Sequence, residues 1–150
     1  MITHLTGDAT KPTIPGPKVI CHIVNDLGKW GSGFVLALDK LNPVYGNAYR
    51  AGYTNFSLGQ IQTLMYQSDL YVVNMFAQHG IISKANPKPV RYGMVAKCLI
   101  EVTKNFPSKI YTIHMPRIGA GLGGGSWKVI EELVEDILTD YQVYVYTLPA

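Results

Sequence analysis

Short runs of β-branched and apolar residues alternate along this chain with stripes of helical period. "VICHIV" (19–24), "KIYTIHM" (109–115) and "QVYVYTL" (142–148) read as strands. Phe34, Leu38 and Leu41 recur at helical spacing until "NP" at 42–43 ends the run, and "YGNAYRAG" (45–52) forms a further short helix. "IQTLMY" and "LYVVNMF", separated by "QSD", predict two strands joined by a tight turn. Val90, Met94, Val95, Cys98, Leu99, Val102 and Phe106 mark one face of a helix closed by Pro107, and Trp127, Ile130, Leu133, Val134 and Ile137 mark the next. Strands that alternate with helices build α/β layers around a largely parallel sheet, and the hairpin adds an antiparallel neighbour. "KPTIPGPK" (11–18) and "SKANPKPVR" (83–91) are too rich in proline to be anything but loops.

A chain of 150 residues is long enough to bury one core without disulfide or metal staples. Hydrophobic residues make up 47% and charged residues 15%, which excludes a disordered chain. The net charge of +3 is too small to imply nucleic acid but suits an anionic ligand. Cys21 and Cys98 lie in apolar runs with no motif spacing, and are expected as reduced thiols in the core of a cytoplasmic protein. No run approaches the ~20 apolar residues of a membrane span, and "MITHLTGDAT" lacks the pattern of a secretory signal. No HxxxH or CxxC spacing occurs among the four scattered histidines, so neither a metal nor another cofactor is expected.

Two loops stand out because each leaves a strand and enters a helix. They are "NDLGKWGSG" (25–33) and "MPRIGAGLGGGSW" (115–127). In an open sheet such loops gather at the carboxyl ends of the strands, where ligands bind. Gly119, Gly121 and Gly124 spell GxGxxG, but that fingerprint opens a dinucleotide fold, and here only one strand follows it. A P-loop reading fails because Gly125 occupies the place of the phosphate-binding lysine. What remains is general physics. Successive glycines let backbone N–H groups line a concavity, and two such loops at one cleft can grip two linked phosphates.

"LTGDAT" (5–10), "HIVNDLGKWGSGFVLAL" (22–38), "VVNMFAQHG" (72–80), the second glycine loop and the closing "VYTL" together resemble the macrodomain family. Within that family they resemble the bacterial and phage ADP-ribose 1''-phosphate processing proteins. The resemblance implies one macrodomain over residues 1–150, a three-layer α/β/α sandwich with a mixed, mostly parallel sheet. It implies that Asp8 accepts from the adenine amino group, with Ala9 and Thr10 beside the ring. Ser32, Gly33 and Phe34 would hold one phosphate. Ile118, Gly119, Ala120, Gly121 and Leu122 would hold the other and cover the ribose. Tyr146 either stacks on adenine or belongs to the core.

The resemblance also implies hydrolysis of ADP-ribose 1''-phosphate to ADP-ribose and phosphate. The alternatives are a non-catalytic ADP-ribose binding module, or a hydrolase acting on ADP-ribosylated protein or nucleic acid. Against the last, Gln78 and Gly123 stand where a related glycohydrolase branch has a catalytic lysine and aspartate. For the first, Asp26 is the leading candidate for base, with Asn25 orienting the distal ribose and Lys29 balancing phosphate charge. His22 is a further candidate base or a core histidine, placed on the face opposite Val24. Trp30 is a lid over the ribose or a packing residue, and His79 and His114 are weaker candidates. The expected partners are ADP-ribose, its 1''-phosphate and ADP-ribosylated macromolecules, with no membrane. A monomer is the default, in the cytoplasm, or in the host cytoplasm for a phage-encoded chain.

Overall fold

The computed structural model describes residues 1–149. Six strands form one sheet: β1 (Ile2–Thr6), β2 (Lys18–Asn25), β3 (Ile61–Gln67), β4 (Leu70–Gln78), β5 (Thr112–Pro116) and β6 (Val143–Thr147). Their spatial order is β1-β6-β5-β2-β4-β3. Every neighbouring pair is parallel except β3 with β4. The helices are α1 (Val35–Leu41), α2 (Val44–Gly52), α3 (Tyr92–Asn105) and α4 (Trp127–Ile137), with a short 3-10 turn at Tyr53–Asn55.

The two central strands explain the layering. Side chains alternate across β2 and β4 with a period of two. Val19, Cys21, Val73 and Met75 pack with Val95, Cys98 and Leu99 of α3 and with Ile130 and Val134 of α4. Ile20, Val24, Val72 and Phe76 pack with Val35 and Leu38 of α1 and with Tyr45 and Tyr49 of α2. A strand buried on both faces needs a nearly continuous apolar run, which is why these segments announce themselves in the sequence. Fully burying each such side chain contributes about 1.5–3 kcal/mol. The result is the three-layer α/β/α sandwich with a mixed, mostly parallel sheet. Cys21 and Cys98 are both buried and unbridged. Burial pushes each thiol up to about 12, so neither is a thiolate near neutrality.

Three local differences from the sequence reading have physical causes. β1 is not expected from its residues, because an edge strand with only Ile2 and Leu5 as apolar members carries little pattern. Its backbone pairs with β6 in the register Ile2↔Val143, which no local signal reveals. Val90 does not begin α3. It forms an isolated antiparallel bridge with Gln78, and the helix starts at Tyr92. His22 shares the face of Val24, as residues two apart in a strand must. The hairpin between β3 and β4 turns through Ser68 and Asp69, where Asp69 adopts φ 60°, a left-handed conformation that aspartate tolerates better than most residues.

No helix among the described residues is long and apolar enough to cross a membrane. Among the same residues, no three His, Cys, Asp or Glu side chains gather as a metal-ligand set.

Candidate functional site

A cleft of about 1460 Å³ opens at the carboxyl ends of the central strands. Its walls are the turn after β1, the end of β2 with the first glycine loop, and the second glycine loop after β5. The end of β6 and the loop after β4 complete it. This is where an open α/β sheet places a ligand.

The two glycine loops supply backbone donors. The amides of residues 31–35 and 121–123 have no intramolecular acceptor among the described residues, and all of these residues line the cleft. Unpaired N–H groups in a concavity are an anion site without any charged side chain. The second loop is held in shape by its own carbonyls. Gly125 N–H donates to Gly119 O (2.8 Å), Gly124 N–H to Gly121 O (3.1 Å), and Val90 N–H to Gly123 O (3.1 Å). Ser126 then caps α4, its hydroxyl accepting from Val129 N–H at 3.4 Å.

The end of β2 is re-aimed by a bulge between Val24 and Asn25, so that Asn25 pairs with Gln78. The Asn25 side chain then knits the following turn. Its Oδ1 accepts from the amides of Leu27 (3.0 Å) and Lys29 (3.1 Å), and its Nδ2 donates to Lys29 O (2.8 Å). Tyr49 of α2 braces the same turn, its hydroxyl donating to Asn25 O (2.6 Å) and accepting from Gly28 N–H (3.1 Å). Trp30 is 5% exposed, packs on Tyr49 and His22, and donates from Nε1 to Asp39 (3.0 Å). It is a wall of the cleft anchored in the core, and the lid reading does not hold.

At the other end, Asp8 and Ala9 line the cleft beside Tyr146. Thr10 does not. Its amide and hydroxyl both donate to Asp8 Oδ1 (2.8 and 2.7 Å), which leaves Oδ2 without an intramolecular partner among the described residues. Tyr146 is 8% exposed, and its hydroxyl pairs with Nδ1 of His114 at 2.8 Å. Burial, with Lys18 adding to it, pushes the His114 imidazole down to about 4.

All the ligand-binding candidates except Thr10 therefore meet in one cleft: Asp8, Ala9, Ser32, Gly33, Phe34, Ile118 to Leu122, and Tyr146. The catalytic candidates divide. His22, Asn25 and Lys29 line it, whereas Asp26 does not. Asp26 turns to the exit of β4, where Oδ2 meets His79 Nδ1 at 2.7 Å and Oδ1 accepts from Gly80 N–H at 2.8 Å. Burial works to raise its carboxyl, but the Gly80 amide and His79 outweigh that and hold it below its ordinary value. A carboxylate so occupied, outside the cleft, is poorly placed as a base. Asn25 has its amide committed to the turn. His22 is 2% exposed, and burial pushes its imidazole down to about 4 against an opposing bond from Asn74. Gln78 and Gly123 both line the cleft.

The sequence reading does not anticipate Lys40, Arg50 and Arg117, which join Lys29 among the lining residues, with Asp8 the sole carboxylate there among the described residues. Arg50 reaches the cleft from α2 by donating to Trp30 O at 3.0 Å. Only the packing of α2 brings it there, and no local motif announces it.

No family model matches the chain. Among solved structures, a protein of unknown function from Bacteroides thetaiotaomicron is 42% identical over 97% of both chains, with a TM-score of 0.91. A macrodomain protein from Streptomyces coelicolor is 39% identical over 98% of this chain and 99% of that one, with a TM-score of 0.84. An uncharacterized 17.5 kDa protein from the tk-vs intergenic region of Enterobacteria phage T4 is 25% identical over 97% of this chain and 95% of its own length. The fold is also shared with Thermosipho africanus DarTG, solved in complex with ADP-ribose. That match has a TM-score of 0.69 and 17% identity, and covers 87% of this chain and 38% of that one.

Proposed function

The chain belongs to the macrodomain family, and from that premise we propose that its cleft binds ADP-ribose. The observation that carries this reading is the pair of glycine loops whose unpaired amides, at 31–35 and 121–123, line one cavity. Two linked phosphates fit two such donor clusters. The free Oδ2 of Asp8 is an acceptor for the exocyclic amine of adenine, and Ala9 and Tyr146 offer apolar surface beside the ring. A nucleobase presenting a carbonyl at that place would leave the carboxylate unpaired, and such a loss is what makes polar recognition selective. A similar fold solved with ADP-ribose supports the ligand class.

A second reading, hydrolysis of ADP-ribose 1''-phosphate, is favoured by the charge of the cleft. Four cationic residues but, among the described residues, one carboxylate line it, more positive charge than a diphosphate alone needs, and a terminal phosphomonoester would use the surplus. In that reaction water attacks phosphorus, the bond to O1'' breaks, and the ribose hydroxyl leaves with a proton. Lys29 would steady the transferring phosphoryl group, and His22 or the backbone donors would position the water. Removal of ADP-ribose from macromolecules has less support, because Gln78 and Gly123 replace the lysine and aspartate of the related branch at the cleft itself.

Calorimetry with ADP-ribose tests the shared premise, and absence of binding at millimolar ligand removes it. Phosphate release from ADP-ribose 1''-phosphate under single-turnover conditions then separates an enzyme from a reader. The Asp8→Ala variant is expected to bind ADP-ribose about ten- to a hundredfold more weakly, the range for a hydrogen bond to a charged group.

A further inference from the structure

Three side chains cross the sheet in one row beneath the cleft. His22 of β2 pairs in register with Asn74 of β4, and Asn74 with Gln62 of β3. Nε2 of His22 bonds Oδ1 of Asn74, Asn74 Nδ2 donates to Gln62 Oε1 at 2.9 Å, and Gln62 Nε2 donates to the Ala48 carbonyl at 3.2 Å. Asn74 is fully buried and His22 nearly so.

The chemistry of the last acceptor sets the direction of the whole row. A backbone carbonyl only accepts, so the Gln62 amide must turn its NH₂ to Ala48 and its oxygen to Asn74. Asn74 must then present NH₂ to Gln62 and oxygen to His22. That oxygen is an acceptor, so the proton of His22 belongs on Nε2 and Nδ1 is left as a bare lone pair. Among the described residues Nδ1 has no hydrogen-bond partner, and it is not among the fully enclosed side-chain polar atoms left without one. Nδ1 is therefore not sealed in the core, and His22 lines the cleft. Packing alone would be served by an apolar row, because buried amides stabilise a sheet only when every group is satisfied.

We propose that Asn74 and Gln62 are positioning residues that fix His22 as its Nε2–H tautomer, so that Nδ1 accepts a hydrogen bond from a hydroxyl of the ligand's distal ribose. The acceptor role rests on the reading of the cleft as an ADP-ribose site, whereas the tautomer follows from the row itself. Asn74 and Gln62 need not touch the ligand. They act through the imidazole.

Nitrogen-15 NMR of the histidine rings in the intact protein reads the tautomer directly. The expected spectrum has a protonated Nε2 and a bare Nδ1 at His22, with Nδ1 moving toward the hydrogen-bonded range when ADP-ribose is added. Asn74→Leu and Gln62→Leu release the constraint and should give a tautomer mixture. Both should weaken ADP-ribose binding about three- to tenfold, the range for one neutral hydrogen bond, with affinity for AMP, which lacks the distal ribose, unchanged. Gln62 is only half-buried, so its variant carries the test if Asn74→Leu fails to fold. A protonated Nδ1 in the unaltered protein overturns the proposal, as does full ADP-ribose affinity in both variants, or an equal loss of AMP affinity. Absence of ADP-ribose binding to the unaltered protein removes the cleft reading, and the ribose acceptor with it. Full affinity in both variants removes the positioning role alone.

Discussion

Leu122 of the second glycine loop reaches across the cleft to Gly33 of the first. A Cβ placed on Gly33 would lie 3.3 Å from Leu122 Cδ1. The two loops are thus in near contact over the space where a diphosphate would lie. Gly33 also sits at φ +79°, where a side chain is strained. Gly33→Ala should lower stability by about 1–2 kcal/mol and weaken ADP-ribose binding more than tenfold. Leu122→Ala should leave stability within about 0.5 kcal/mol, since the side chain is exposed, and should raise the ligand's dissociation rate. Urea denaturation and stopped-flow displacement measure the two effects. Equal stability losses in both variants would contradict this assignment.

Gly121 and Gly124 differ in what surrounds them. A Cβ on Gly124 would meet Pro87 O at 2.2 Å and Lys88 Cα at 3.1 Å, and the residue has φ +69°. Those are backbone atoms of the proline-rich loop, so one of the two loops must move. Gly121 has nothing within 4 Å. Gly124→Ala is expected to lower the melting temperature and abolish ligand binding together. Gly121→Ala should keep the melting temperature and lose affinity only if phosphate approaches that backbone. Thermal denaturation with and without ADP-ribose gives both readings.

Asp26 and Asn25 should behave as architecture. Asn25→Ala removes three hydrogen bonds from the turn that carries Lys29 and Trp30. Its expected signature is a stability loss of about 2–3 kcal/mol with reduced ligand affinity. Asp26→Asn keeps the shape and an acceptor for Gly80, so any phosphate release from ADP-ribose 1''-phosphate should retain more than a third of its rate. A drop of a hundredfold or more would restore Asp26 as the base.

Stability should fall on mild acidification. His22 and His114 have folded values of about 4 against an ordinary 6.5. Above pH 6.5 both are neutral, folded or unfolded, and have no effect. Between pH 6.5 and 4 the unfolded chain binds protons that the native state refuses, so stability declines as pH falls. Each histidine contributes a slope of about 1.4 kcal/mol per pH unit. Below pH 4 that contribution flattens. Asp26, held under its ordinary carboxyl value, adds a loss in the same direction at lower pH. Urea midpoints at pH 7.5, 6 and 5 measure the slope, and His114→Gln should remove about half of it.

How much of this was legible in the residues depends on whether a signal is local. The central strands, the helical stripes and both glycine loops carry their own patterns, because burial on two faces, a helical period and backbone freedom each leave a mark within a few residues. Asp8, Gly33 and Gly121 could be singled out in the same way, from motifs and the family they resemble. β1 could not, since an edge strand is defined by the partner it pairs with.

The layer architecture and the two glycine loops could be read along the chain, because hydrophobic period and glycine placement are properties of neighbouring residues. The parts played by the polar residues came from the packed fold. The fold turned Asp26 out of the cleft to His79, spent Asn25 on its own turn, brought Arg50 in from α2 and joined His22 to Gln62 through Asn74. A polar side chain takes its role from whichever partner lies within about 3 Å, and that distance is set by residues far away in the chain.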